Sequence, residues 1–220
     1  ELARDPDKSD IGPLRYEVIE PLRSVRVVLE KNAVQPIAFD LTLDGGVPCA
    51  VEEREDRRTT TGYRHSANQI RYHQIGTARG WIELEGRRIE VTPQTWCMTR
   101  DHSWGTRPGV GLPPADLQPD AMDSAQPRVL AVWNPLYFQR ADGSYYGFMQ
   151  YLLHYAGEGW KHHKLQGGFE FPDGRREGVA DIVPALRFDA RNQRLLGGEF
   201  RLVMADGRAR VLAVRVLGAT

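Results

Sequence analysis

Pairs of residues that force the chain to reverse recur at short intervals. Glu85-Gly86, Asp142-Gly143, Asp173-Gly174 and Asp206-Gly207 each stand between runs rich in Val, Ile, Leu, Tyr, Phe and Trp. Glycine supplies the positive φ of a tight hairpin without steric cost, and segments joined so tightly must run antiparallel. No stretch sustains a helical period, so the pattern predicts an all-β fold with little helix. In the first half it predicts strands over Arg15–Ile19, Ser24–Leu29, Ile37–Leu43, Tyr63–Ile75, Thr77–Leu84, Arg88–Thr92 and Thr95–Trp104. In the second half they fall at Arg128–Gln139, Tyr145–Tyr155, Trp160–Phe171, Glu177–Phe188, Arg194–Met204 and Arg208–Leu217.

A chain of 220 residues is long enough for one large β domain or two small ones. Arg107 to Pro127 is dense in Pro, Gly and Asp and free of either period, which marks a linker or long loop. The expected organisation is a β-barrel over 1–112, a connection over 113–127 and a second barrel over 128–220. Barrel closure removes exposed sheet edges and leaves room inside for one apolar ligand. Lys+Arg and Asp+Glu both number 29, so no electrostatic footprint for nucleic acid or an anionic membrane surface exists. No apolar run approaches the roughly 20 residues that cross a bilayer, and the opening residues lack a signal-like pattern. Cys49 and Cys97 have neither CxxC nor zinc-ligand spacing and are expected to be buried thiols of a reducing compartment. Together these predict a cytoplasmic chain without stable membrane insertion and leave a homodimer open.

Thr99 to Gly111 concentrates an acid, an imidazole, an indole and two guanidinium groups before a glycine-rich exit. Side chains alternate along a strand, so Trp96, Met98, Arg100, His102 and Trp104 are expected on one face and Thr95, Cys97, Thr99, Asp101 and Ser103 on the other. An apolar, aromatic and cationic face has the composition of a ligand-pocket wall. The adjacent Asp101-His102-Ser103 cannot be a nucleophile–base chain, because neighbours on a strand oppose each other, and no Gly-x-Ser-x-Gly elbow is present. Asp101 reads as structural, paired with Arg100, Arg107 or backbone amides at the strand exit.

Tyr63 to Ile75 has no clean apolar face. It reads either as a sheet exposed on one side or as a strand lining a polar-spotted cavity, with Tyr72 or His73 reaching inward. Trp133 and Asn134 offer an indole and an amide, and His154 alternates with Tyr146, Phe148, Gln150 and Leu152 as a barrel residue or a cavity group. The six histidines lack metal-ligand spacing, and no glycine-rich phosphate loop opens a helix. Neither metal nor cofactor is expected.

Tyr63–Tyr72, Gly80-Trp81-Ile82-Glu83-Leu84 and Arg100-Asp101-His102-Ser103-Trp104-Gly105, with Asp142–Gly157 and Arg194–Gly198, resemble the AttH-like and carotenoid 1,2-hydratase-like (hydroxyneurosporene synthase-like), lipocalin-related superfamily. The resemblance is closest to its bacterial members with an Arg-Asp-His-Ser-Trp-Gly core. It implies tandem antiparallel calycin or lipocalin-like barrels handling terpenoid, steroid, polyketide or similar lipophilic molecules. His102 and Trp104 match the His-x-Trp pair of the hydratases, whereas the Tyr-x-Asp pair that acts with it has no match between Gly105 and Tyr155.

Two readings follow. In the first, a lipophilic small molecule sits against Trp96, Met98, Tyr72, His73, Trp133, Asn134 and His154, and cofactor-independent acid–base chemistry (hydration, isomerisation or cyclisation) acts on it. There His102 relays or donates a proton, Trp104 steadies a developing cation and Arg100 holds an oxygen substituent or orients a carboxylate. In the second, the protein is a non-catalytic carrier or sensor whose Asp-His-Ser-Trp segment is structural.

Overall fold

The computed structural model describes residues 7–58, 65–107, 128–157 and 159–217. The expected connection over 113–127 and positions 63–64 of the expected Tyr63–Ile75 strand lie outside the described residues. The strands are β1 (Lys8–Ile11), β2 (Leu14–Glu20), β3 (Ser24–Leu29), β4 (Ile37–Gly45), β5 (Ala50–Val51), β6 (Glu55–Arg58), β7 (His65–Leu84), β8 (Arg87–Val91) and β9 (Cys97–Thr106). They continue as β10 (Arg128–Gln139), β11 (Tyr145–Gly157), β12 (Trp160–Glu170), β13 (Arg176–Phe188), β14 (Leu195–Met204) and β15 (Ala209–Val214). Among the described residues none is helical, and the fold is all-β and barrel-like, built from two curled antiparallel sheets. No helix among them is long and apolar enough to cross a membrane.

The first sheet is organised around β7. β1, β2, β3 and β4 lead to it in order, and β5, β6, β8 and β9 also pair with it. The sequence pattern predicts two strands here, divided at Gly76, but the structure has one. Gly76 is not a break: a Cβ there would lie 2.0 Å from the Asp44 carbonyl oxygen, so the missing side chain lets β4 approach within a continuous strand. Glu85 and Gly86 both take positive φ (51° and 79°), the geometry that joins β7 to β8 by a two-residue hairpin. β1, β5 and β6 have no counterpart in the sequence reading, since Lys8-Ser9-Asp10-Ile11, Ala50-Val51 and Glu55-Asp56-Arg57-Arg58 are short or charged. Ala78, Val91 and Met98 form a buried cluster against Leu41, Leu43 and Ile82.

The second sheet follows chain order from β10 to β15. Pro135 lies on edge strand β10, where a missing backbone donor is tolerated. β12 and β13 pair only through Gly168–Glu170 with Arg176–Gly178, while β13 follows β14 through two register shifts from Val179 to Phe188. The chain forms two compact units. The first comprises 1–121 with Pro135–Gly147 and Phe171–Gly174; the second comprises Met122–Asn134, Phe148–Glu170 and Arg175–Thr220.

Candidate functional site

The pairing of β7 with β9 sets Gly76 opposite Met98, Gln74 opposite Arg100, Tyr72 opposite His102 and Ile70 opposite Trp104. Directly opposed residues of an antiparallel pair share a face. That face begins in the apolar cluster at Met98 and Ala78 and ends in rings. Tyr72 stacks on His102 at 5.1 Å and 11°, Trp104 meets Tyr72 edge-on at 6.3 Å, and His102 and Trp104 are 5.7 Å apart. The Arg100 guanidinium lies 5.2 Å from the centre of the Tyr72 ring and donates through Nη2 to Tyr16 Oη at 3.0 Å. Tyr16 is on β2, three strands removed from β7 along the sheet, so this hydrogen bond spans the curl. Burial pushes the Tyr72 hydroxyl pKa up, and Arg100 pulls it partly back.

Gln74 and Gly105 show why the wall needs its particular residues. Gln74 Nε2 donates to the carbonyls of Leu22 and Val47, each at 2.9 Å, and its amide fills the space a side chain on Gly45 would take. Gly105 follows Trp104 with φ at 120°, and a Cβ there would lie 2.1 Å from the Asn68 carbonyl oxygen. Only glycine closes the motif against β7 without displacing it.

The wall is graded from floor to rim. Met98 and Tyr72 are buried, Arg100 is half-buried, His102 is exposed and Trp104 is 49% exposed. β9 starts at Cys97, and Trp96 lies just before it: its backbone N–H donates to Thr92 O at 3.0 Å, its carbonyl accepts from Ala78 N of β7 at 3.3 Å, and the residue is 37% exposed. The buried-thiol expectation is corrected: both cysteines are free, but Cys49 is half-buried and Cys97 exposed. Burial raises the Cys49 thiol pKa.

The opposite face of β7 carries a charged network. His73, 1% exposed, places Nδ1 3.2 Å from Oε1 of buried Glu52. Glu52 Oε2 stands 3.7 Å from Arg71 Nη1, and Arg71 Nε lies 3.5 Å from Asp101 Oδ1. Asp101 therefore ties β9 to β7 through Arg71, in place of the Arg100 or Arg107 partner anticipated. Arg107 is exposed just past the end of β9.

With this geometry in view, the family assignment follows from a match over residues 1–178 to a family of unknown function, DUF8625. The chain belongs to that family. No curated protein and no solved structure matches it. The DUF8625 match takes in β1 to β12 and ends at Gly178 of β13, where pairing with β12 ends.

The other anticipated site residues of this DUF8625 chain belong to the second unit. Trp133 and Asn134 lie half-buried on β10. His154 faces His163 with ring centres 4.4 Å apart and its Nε2 against His163 Nδ1. Burial, then the neighbouring imidazole, hold the His154 pKa below the ordinary 6.5. Among the described residues no three His, Cys, Asp or Glu side chains form a group able to hold a metal ion. Sequence reasoning missed Tyr16, Glu52, Arg71 and Gln74. Tyr16 lies 84 positions from Arg100 and carries no local signal, while Glu52 opens a Glu-Glu-Arg-Glu run that reads as solvated surface.

Proposed function

We propose that this protein binds a lipophilic small molecule against the shared face of β7 and β9. The observation that carries the reading is the continuity of that face, from the apolar floor at Met98, Leu41 and Leu43 through Tyr72 and Arg100 to the half-open rings of His102 and Trp104. An apolar body would lie on the floor, ring faces would stack on Tyr72 and His102, and Arg100 would hold an oxygen substituent. The terpenoid, steroid or polyketide class comes from the resemblance of the Arg100–Gly105 motif. The carrier or sensor reading is favoured over acid–base catalysis by one detail. His102 contacts the Tyr72 and Trp104 rings, yet no described carboxylate orients it, whereas a catalytic imidazole is ordinarily held by a third group. Two free thiols support a cytoplasmic setting.

Native mass spectrometry of the purified full chain, followed by denaturing extraction, tests the reading. The expected result is a stoichiometric hydrophobic molecule, lost in Tyr72→Leu and Trp104→Ala variants that keep the β-sheet circular dichroism spectrum. Undiminished retention by both variants would overturn it. His102→Gln is expected to retain the molecule unchanged; retention of an altered molecule would transfer the assignment to catalysis.

A further inference from the structure

The inner row of β11 reads Phe148, Gln150, Leu152, His154. Phe148 and Leu152 are fully buried, and so is Gln150, at 0% exposure. Among the described residues neither Gln150 Nε2 nor Gln150 Oε1 meets a hydrogen-bond partner, and the buried Asn134 Oδ1 meets none either. Phe138 stacks on Tyr146 at 5.3 Å, and Arg140 N donates to Ser144 O at the hairpin turn; that register, carried unbroken along β10 and β11, would set Asn134 across from Gln150.

On the other flank, Phe148 packs on Phe169 at 4.7 Å and His154 on His163, which sets Gly167 across from Gln150. A Cβ on Gly167 would stand 2.8 Å from Met149 O, 3.5 Å from Gln150 Cα and 3.6 Å from Ile182 Cδ1, so the missing side chain lets β12 lie close against β11. On that register two amides with unmet hydrogen-bonding atoms share one stretch of the sheet, beside the close β11–β12 approach at Gly167 and among Phe148, Leu152, Phe169 and Ile182.

A primary amide offers two donors and an acceptor, and burying it unanswered is costly. Leucine at 150 would continue the row at no such cost. A few polar groups converging within an apolar lining are the mark of a small-molecule site. We infer that the inner face of β10, β11 and β12 binds a neutral, largely apolar molecule through a single hydroxyl or carbonyl oxygen, held by the Gln150 and Asn134 amides. No ionic group is called for, because both residues are uncharged. This site belongs to the second unit and the β7–β9 wall to the first, so either can fail without the other.

The test uses the full chain with 2-naphthol and naphthalene, ring systems that differ by one hydroxyl. Side-chain amide signals of Gln150 and Asn134, assigned by their loss in Gln150→Leu and Asn134→Leu, are expected to shift on adding 2-naphthol. 2-Naphthol is expected to bind roughly tenfold more tightly than naphthalene. Gln150→Leu should abolish that preference while keeping naphthalene binding, with Gln150→Met as a second variant if the first does not fold. Amide signals that contact water only and ignore 2-naphthol would overturn the inference. So would a preference that survives Gln150→Leu, or one removed by Trp104→Ala of the first unit.

Discussion

His73 and Gln150 each sit mid-strand and almost fully buried, one in each sheet, yet they stand in opposite circumstances. His73 meets Glu52, Glu52 meets Arg71, and Arg71 reaches Asp101 at the surface. The Gln150 amide finds no hydrogen-bond partner among the described residues. Gln74 is a useful intermediate, since its Nε2 is doubly bonded to Leu22 and Val47 while its Oε1 is not. A buried polar side chain therefore does not by itself announce a site. What separates an internal brace from a ligand contact is whether the fold supplies the complementary group.

The largest expected effect comes from cutting the brace. Glu52→Gln removes the carboxylate that answers both His73 and Arg71 and leaves their polar atoms in a buried setting. It is expected to destabilise the protein by about 3 kcal/mol, read as a lowered urea midpoint with unchanged slope. A change within error would mean that the network is ornamental and would erase the contrast with Gln150.

The two glutamines sharpen the contrast because the same substitution should act with opposite sign. Gln74→Leu strips two carbonyls of their donor and is expected to cost about 1–2 kcal/mol. Gln150→Leu removes an unanswered amide and is expected to stabilise by about 1 kcal/mol in ligand-free protein. Thermal unfolding of the pair reads both, and movement in the same direction would break the comparison.

The smallest effect is pH-dependent. His154 is held below its ordinary value of 6.5 by burial and then by His163, so the unfolded chain takes up that proton first as the pH falls. The contribution of His154 is fully present above 6.5 and is lost as the pH falls from there toward the folded value. His163→Gln removes the neighbouring charge, and the decline in urea midpoint on acidification should become shallower. An unaltered decline would show that the imidazole pair has no influence on stability.

Much of the fold is legible in the chain, and the reason is local. Gly86, Gly143, Gly174 and Gly207 all take the positive φ expected of hairpin turns, and the alternation of β9 places Met98, Arg100, His102 and Trp104 on one face. Gly76 was misleading because a glycine that permits close approach looks, in sequence, like one that permits a turn. The same limit hid Tyr16 and Glu52, whose roles depend on strands that meet them from far along the chain.

By itself the sequence determined the strand type, the reversals and which side chains share a face, since φ preferences and the two-residue pleat act between near neighbours. Only the tertiary structure decided which face became interior, that His102 and Trp104 stand at a rim, and that Glu52 is paired while Gln150 is not. Burial and partnership are set by sheet curl and by contacts between distant segments, and no local pattern encodes them.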